Sequence, residues 1–113
     1  MPFINVKTNS PVSKDKETAI KAKLGQAITT IPGKSESWLM VGLEPEYTLY
    51  FQGTDELCAM VEVSIFGSAS ASTLDALTGK ITEIINGELG IKPARIYVQY
   101  SQKPEWGWNG SNL

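Results

Sequence analysis

Met1-Pro2-Phe3-Ile4-Asn5-Val6 opens the chain, and Phe3, Ile4 and Val6 predict a β-strand over residues 2–8. The same pattern returns 57 residues later, where Phe3-Ile4-Asn5-Val6 meets Met60-Val61-Glu62-Val63. That register holds across the chain without a gap. Ile20, Leu24, Ala27 and Ile28 fall on Leu77, Ile81, Ile84 and Ile85, and Gly33 falls on Gly90. Trp38-Leu39-Met40-Val41 meets Arg95-Ile96-Tyr97-Val98, and Leu49-Tyr50-Phe51-Gln52-Gly53-Thr54 meets Trp106-Gly107-Trp108-Asn109-Gly110-Ser111. Residues 1–113 therefore read as one domain made of two repeats, about 1–56 and 58–113.

Each repeat reads as strand, helix, strand and a short final strand. In the first, apolar residues at helical spacing predict a helix over 14–31, closed by Gly33 as a C-cap. Residues 38–43 form a nearly continuous apolar run, as expected of a strand covered on both faces. The second repeat predicts a strand over 58–66, a helix over 70–88 ending at Gly90, and a strand over 95–100. Strand–helix–strand connections require parallel pairing with a right-handed crossover. Two such units make an α/β fold: a four-stranded mixed sheet with both helices on one face. The opposite face, read as apolar, has no third layer to cover it. The short segments 48–52 and 105–109 are too small for that, so a closed homo-oligomer is expected, with those segments extending a neighbour's sheet edge. Leu49-Tyr50-Phe51-Gln52-Gly53 looks like an engineered protease site. Tyr47 nevertheless stands where such sites carry glutamate, and the repeat register runs straight through it.

Composition narrows the chemistry. The chain has no histidine and one cysteine, Cys58, which excludes a Ser-His-Asp triad, an internal disulfide and, in effect, a zinc site. A net charge of −2 gives no reason to expect nucleic acid or an anionic membrane as partner. No apolar run approaches the ~20 residues that span a bilayer, and the N-terminus lacks a signal-peptide pattern. Catalysis would have to use amines, carboxylates, tyrosines or the main chain. The N-terminus offers such a group. Methionine is usually removed before proline, leaving a secondary amine at the end of a strand that holds it still. In the second repeat Ala59 takes the place of Pro2, so only one repeat can supply this base.

The ordered set of motifs resembles the macrophage migration inhibitory factor and D-dopachrome tautomerase family, over essentially the whole chain. The residues that carry it are Met1-Pro2, Gly33-Lys34, Phe51-Gln52-Gly53-Thr54, Ser64-Ile65, Pro93-Ala94-Arg95-Ile96-Tyr97-Val98 and Gly107-Trp108-Asn109-Gly110-Ser111. The resemblance implies a homotrimer with an inner barrel of sheets. It also implies cofactor-free and metal-free keto–enol tautomerisation of phenylpyruvate-like or dopachrome-like compounds, with Pro2 as acid/base. A small aromatic α-keto acid or enol would be the substrate. Lys34 takes the substrate-carboxylate position, Ile65 the position whose N–H also holds substrate, and Tyr97 that of a pocket tyrosine from the neighbouring subunit. Gln99, Trp106 and Trp108 complete the implied substrate-binding set. By their residue types alone, Lys34 reads as a cation at a helix end and Tyr97 as a packing aromatic.

The chain also departs from the family pattern. Gln99 stands where asparagine is frequent, Trp106 replaces a smaller aliphatic residue and should narrow the pocket mouth, and Leu113 replaces a terminal aromatic residue. Cys58-Ala59-Met60-Val61 lacks the second cysteine of the family's redox motif. Glu46 keeps the acid of a receptor-mimicking charge pair, but Val12 stands in place of its arginine. The alternative function is a released signalling protein whose pocket is vestigial or docks a cell-surface receptor, and a weaker one is a small-molecule-binding oligomer. A cytoplasmic location is expected, with non-classical export under the signalling reading.

Overall fold

A computed structural model describes all of residues 1–113. Its central sheet runs in the order β2-β1-β3-β4, with β1 at Pro2–Thr8, β2 at Met40–Glu44, β3 at Ala59–Phe66 and β4 at Ile96–Lys103. β1 pairs parallel with β2, and β3 parallel with β4. The two units meet antiparallel, with Pro2 opposite Ile65 and Thr8 opposite Ala59. The fold is thus the mixed α/β sheet expected from the repeat, its halves related by an approximate twofold between β1 and β3.

Burial alternates strictly along both central strands. Ile4 and Val6 from β1 and Val61, Val63 and Ile65 from β3 face the helices. They meet Ile20 and Leu24 of α1 (Lys14–Ala27) and Leu77, Ile81 and Ile85 of α2 (Ala71–Leu89). Each of these large side chains contributes about 1.5–3 kcal/mol by leaving water. The Ser13 side chain accepts from the N–H of Lys16 to start α1, and that of Ser70 from Thr73 to start α2.

Helix α1 is shorter than the sequence pattern suggests. Regular helix stops at Ala27, Ile28–Thr30 tightens into a 3-10 turn, and Ile31 is already extended. The β-branched run Ile28-Thr29-Thr30-Ile31 fits a helix poorly, and Pro32 disfavours helical geometry at Ile31. Gly33 is therefore not the cap; it sits in the following turn with φ 80°. In α2 no such run intervenes, and Gly90 caps the helix in the left-handed conformation, φ 69°.

Three further expectations change. Trp38 belongs to a 3-10 turn, Glu36–Trp38, not to a strand. β2 starts at Met40, and none of its residues is buried, so it is not covered on both faces. The face away from the helices is polar at its centre, where Asn5 Nδ2 donates to Glu44 (2.8 Å) and Glu62 (3.3 Å). Glu62 also accepts from Gln99 and pairs with Lys7. Phe3, Met40, Met60 and Tyr97 flank this polar row, so an uncovered apolar face is not what calls for a partner.

The closing segments of the two repeats are related turns. Residues 48–52 form no strand beyond a single bridge between Phe51 and Thr54, whereas β5 (Gly107–Trp108) and β6 (Ser111–Asn112) form a hairpin. Gln52-Gly53 and Asn109-Gly110, 57 residues apart, all have positive φ, the signature of a type I′ turn. The repeat thus extends to the handedness of single residues.

Candidate active site

β1 begins at Pro2, and the hydrogen-bond ladder fixes that end of the chain. The Phe66 N–H donates to the Met1 carbonyl at 3.0 Å, and Pro2 is buried beside Ile65. Lys34 is brought there by the turn after α1, and its Nζ donates to the Phe66 carbonyl at 2.9 Å. Burial, and next the charge and hydrogen bond of the Lys34 ammonium, hold the terminal amine of Met1 below its usual range. In this form the Pro2 nitrogen is an amide without a basic lone pair. An amine released at Pro2 would inherit the same neighbours.

A cleft of about 450 Å³ opens here, walled by Met1, Pro2, Phe3, Trp38, Met40, Trp106 and Trp108, among others. All three tryptophans of the chain line it. Trp38 and Trp108 meet edge to face with ring centres 5.1 Å apart. The Leu113 N–H donates to the Trp106 carbonyl at 2.9 Å, which ties the C-terminus to the same wall. The cleft can take a planar aromatic ring; next to its β1 end lie the Lys34 ammonium and the Phe66 N–H, both hydrogen-bonded while Met1 is present.

The structure divides the expected residues into two groups. Pro2, Lys34, Ile65, Trp106 and Trp108 gather around the start of β1. Tyr97 does not join them: it pairs with Met60, five residues along β3 from Ile65, about 17 Å away at the usual strand rise. Gln99 sits on the open face, bonded to Glu62 at 3.3 Å. One subunit cannot bring these two to Pro2. A further adjustment concerns the main-chain donor. Successive N–H groups along a strand point to opposite neighbours, so with the Phe66 N–H on Met1, that of Ile65 faces β4. The donor beside Pro2 is Phe66, not Ile65.

Sequence reasoning missed Trp38, read as the start of a strand, and the Phe66 N–H. Trp38 had a signal, since it stands four residues beyond Lys34 and opens the segment leading into β2. The Phe66 donor depends on strand phase, which residue types alone do not give.

Comparison with known proteins gives the family. The family model "Macrophage migration inhibitory factor (MIF)" matches residues 1–113. The macrophage migration inhibitory factor of Meriones unguiculatus is 27% identical over 115 residues, covering 100% of this chain and 99% of that protein. A mouse protein named D-dopachrome decarboxylase is 26% identical, covering 94% and 90%. Among solved structures, Leishmania major MIF2 superposes with a TM-score of 0.93 at 30% identity, covering 100% and 97%. A Prochlorococcus marinus homologue gives 0.83 at 29%, covering 97% of each chain. The chain belongs to the macrophage migration inhibitory factor family.

Proposed function

We propose that this protein is a cofactor-free keto–enol tautomerase acting on small aromatic α-keto acids, with Pro2 as its acid/base once Met1 is removed. The observation that carries this reading is the burial of Pro2 beside the Lys34 ammonium at a fixed strand end. Burial and a neighbouring cation both favour a neutral amine, the form that can act as a base near neutral pH. The Pro2 nitrogen takes a proton from the carbon next to the substrate carbonyl. The electron pair moves to the carbonyl oxygen, and the prolinium returns its proton to that oxygen; ketonisation is the reverse, the amine taking the enol proton and the prolinium delivering one to the neighbouring carbon. Lys34 pairs with the substrate carboxylate. Loss of Met1 also frees the Phe66 N–H from the Met1 carbonyl, giving a donor for the same anion or for the developing enolate. Trp38, Trp106 and Trp108 hold the ring.

Tyr97 and Gln99 complete this site only from a second copy, which supports the homotrimer reading with sites between subunits. The signalling alternative rests on family membership. Val12 packs against the core and offers no charge to pair with Glu46.

The test is steady-state ketonisation of 4-hydroxyphenylpyruvate by protein shown by intact mass to lack Met1. Pro2→Gly, which substitutes a primary amine on a looser strand end, should lower kcat by about 10²-fold or more. Unchanged turnover in that variant would remove Pro2 from the mechanism.

A further inference from the structure

The hairpin that carries Trp108 into the wall of the Pro2 cleft turns on a chemically labile pair, Asn109-Gly110. An asparagine side chain can close onto the nitrogen of a following glycine, because glycine has no side chain to shield it. Little opposes that closure here. Both residues are exposed at the hairpin tip, and the Gly110 N–H makes no main-chain hydrogen bond. The space beside the Gly110 Cα is open.

The rest of the chain holds the contrasting cases. Of its five asparagines, three have side chains tied down: Asn5 to Glu44 and Glu62, Asn9 to the Cys58 N–H, and Asn86 to the Ile91 carbonyl. Asn112 precedes Leu113, whose side chain crowds the nitrogen. Asn86 is also followed by glycine, but Gly87 lies within α2, where the helix ladder holds its N–H. Gln52-Gly53, 57 residues before Asn109-Gly110, has nearly the same backbone, with φ 53° and 77° against 53° and 88°. Glutamine, one methylene longer, must close a larger ring that forms more slowly.

We propose that Asn109-Gly110 is a self-modifying site whose product releases Trp108 from the aromatic wall. Hydroxide removes the Gly110 N–H proton, the nitrogen attacks Cγ of Asn109, and the Cγ–Nδ2 bond breaks. Ammonia leaves with a proton from water, which restores the hydroxide. Water then opens the cyclic imide at either carbonyl, leaving aspartate or isoaspartate. Isoaspartate routes the main chain through the former side chain and adds one atom to it. A type I′ turn joins its strands with a two-residue loop, so the pairing of Gly107 with Asn112 and Trp108 with Ser111 loses its register. Trp108 then leaves its place 5.1 Å from Trp38. The chemistry is independent of any activity; its effect on KM rests on the tautomerase reading.

The intact protein would be aged in mildly alkaline buffer beside the same chain unfolded in urea. Mass mapping of peptides follows each site, and electron-transfer fragmentation identifies isoaspartate. In the folded protein Asn109 should convert at least about tenfold faster than Asn86, which must wait for α2 to open, and Gln52 should stay intact. The Trp108 indole N–H resonance should move toward that of a solvent-exposed ring as isoaspartate accumulates. KM for 4-hydroxyphenylpyruvate should rise by about 2- to 10-fold, the worth of one aromatic pair. Asn109→Gln, which copies the turn of the first repeat, should show neither change with time. Folded protein whose Asn109 stays intact while the unfolded chain deamidates would overturn the proposal. So would a Trp108 resonance that ignores isoaspartate, or one that drifts equally in Asn109→Gln. A moved resonance with a steady KM would uphold the modification and instead remove Trp108 from the tautomerase site.

Discussion

Lys34→Met tests whether the lysine sets the proton affinity of the terminal amine as well as holding substrate. In the structure the Lys34 ammonium lies against the end of β1, bonded to the Phe66 carbonyl, and after burial it is the next cause that holds the Met1 amine below its usual range; an amine freed at Pro2 would meet the same cation. Two unit charges about 4 Å apart repel by about 1 kcal/mol in water and about 4 kcal/mol near a protein surface. The Lys34 ammonium sits at the mouth of the cleft, where solvent screening places the effect toward the lower value. About 1.4 kcal/mol corresponds to one pH unit. The sign follows from the chemistry: the neutral amine is the base, so kcat/KM rises as pH climbs through its pKa. Removing the cation lets the amine bind its proton more tightly, and the acidic limb of the profile should move to higher pH. Lys34→Arg keeps the charge and should leave the limb near its original position while altering KM. The assay is kcat/KM for 4-hydroxyphenylpyruvate ketonisation across about pH 5 to 9, a span that brackets the reference α-amine value. A limb that stays in place in Lys34→Met, or moves to lower pH, refutes the electrostatic role.

Other consequences are open to direct measurement. Trp38→Ala removes the edge-to-face partner of Trp108 and should raise KM for aromatic keto acids by about tenfold, with little change for pyruvate. Steady-state kinetics on both substrates would check this. Ile81, fully buried between α2 and the sheet, should cost about 2–5 kcal/mol when cut to alanine, read by urea denaturation. Two glycines of the second repeat should respond with opposite signs in the same assay. Gly90→Ala meets a left-handed backbone and should destabilise by about 1 kcal/mol. Gly79→Ala adds a methyl with nothing within 4 Å in mid-helix and should stabilise by about 0.5–1 kcal/mol.

Much of the fold was legible because the repeat gave two readings of each element. Ile20, Leu24 and Ile28 could be checked against Leu77, Ile81 and Ile85, and all six are buried where the pattern placed them. Where the halves differ, the reading slipped. Gly33 and Gly90 share a register, yet Pro32 and the β-branched run before it end α1 early, and only Gly90 became a cap. The polar centre of the open face was written in Asn5, Lys7, Glu44, Glu62 and Gln99. Seeing it needed the register of four strands, which no single segment carries. The same limit applies at the candidate site. Pro2 and Lys34 could be named from their residue types and motif, but the Phe66 donor depends on strand phase. The distance of Tyr97 from Pro2 depends on how the two repeats oppose each other across β1 and β3.

The most direct test of the central claim compares one protein in two forms, with Met1 retained and with Met1 removed, each verified by intact mass. Turnover of 4-hydroxyphenylpyruvate should be confined to the form that begins at Pro2, with kcat/KM at least about 10²-fold lower when Met1 remains. Equal turnover in the two forms would contradict the assignment of the Pro2 amine as the base.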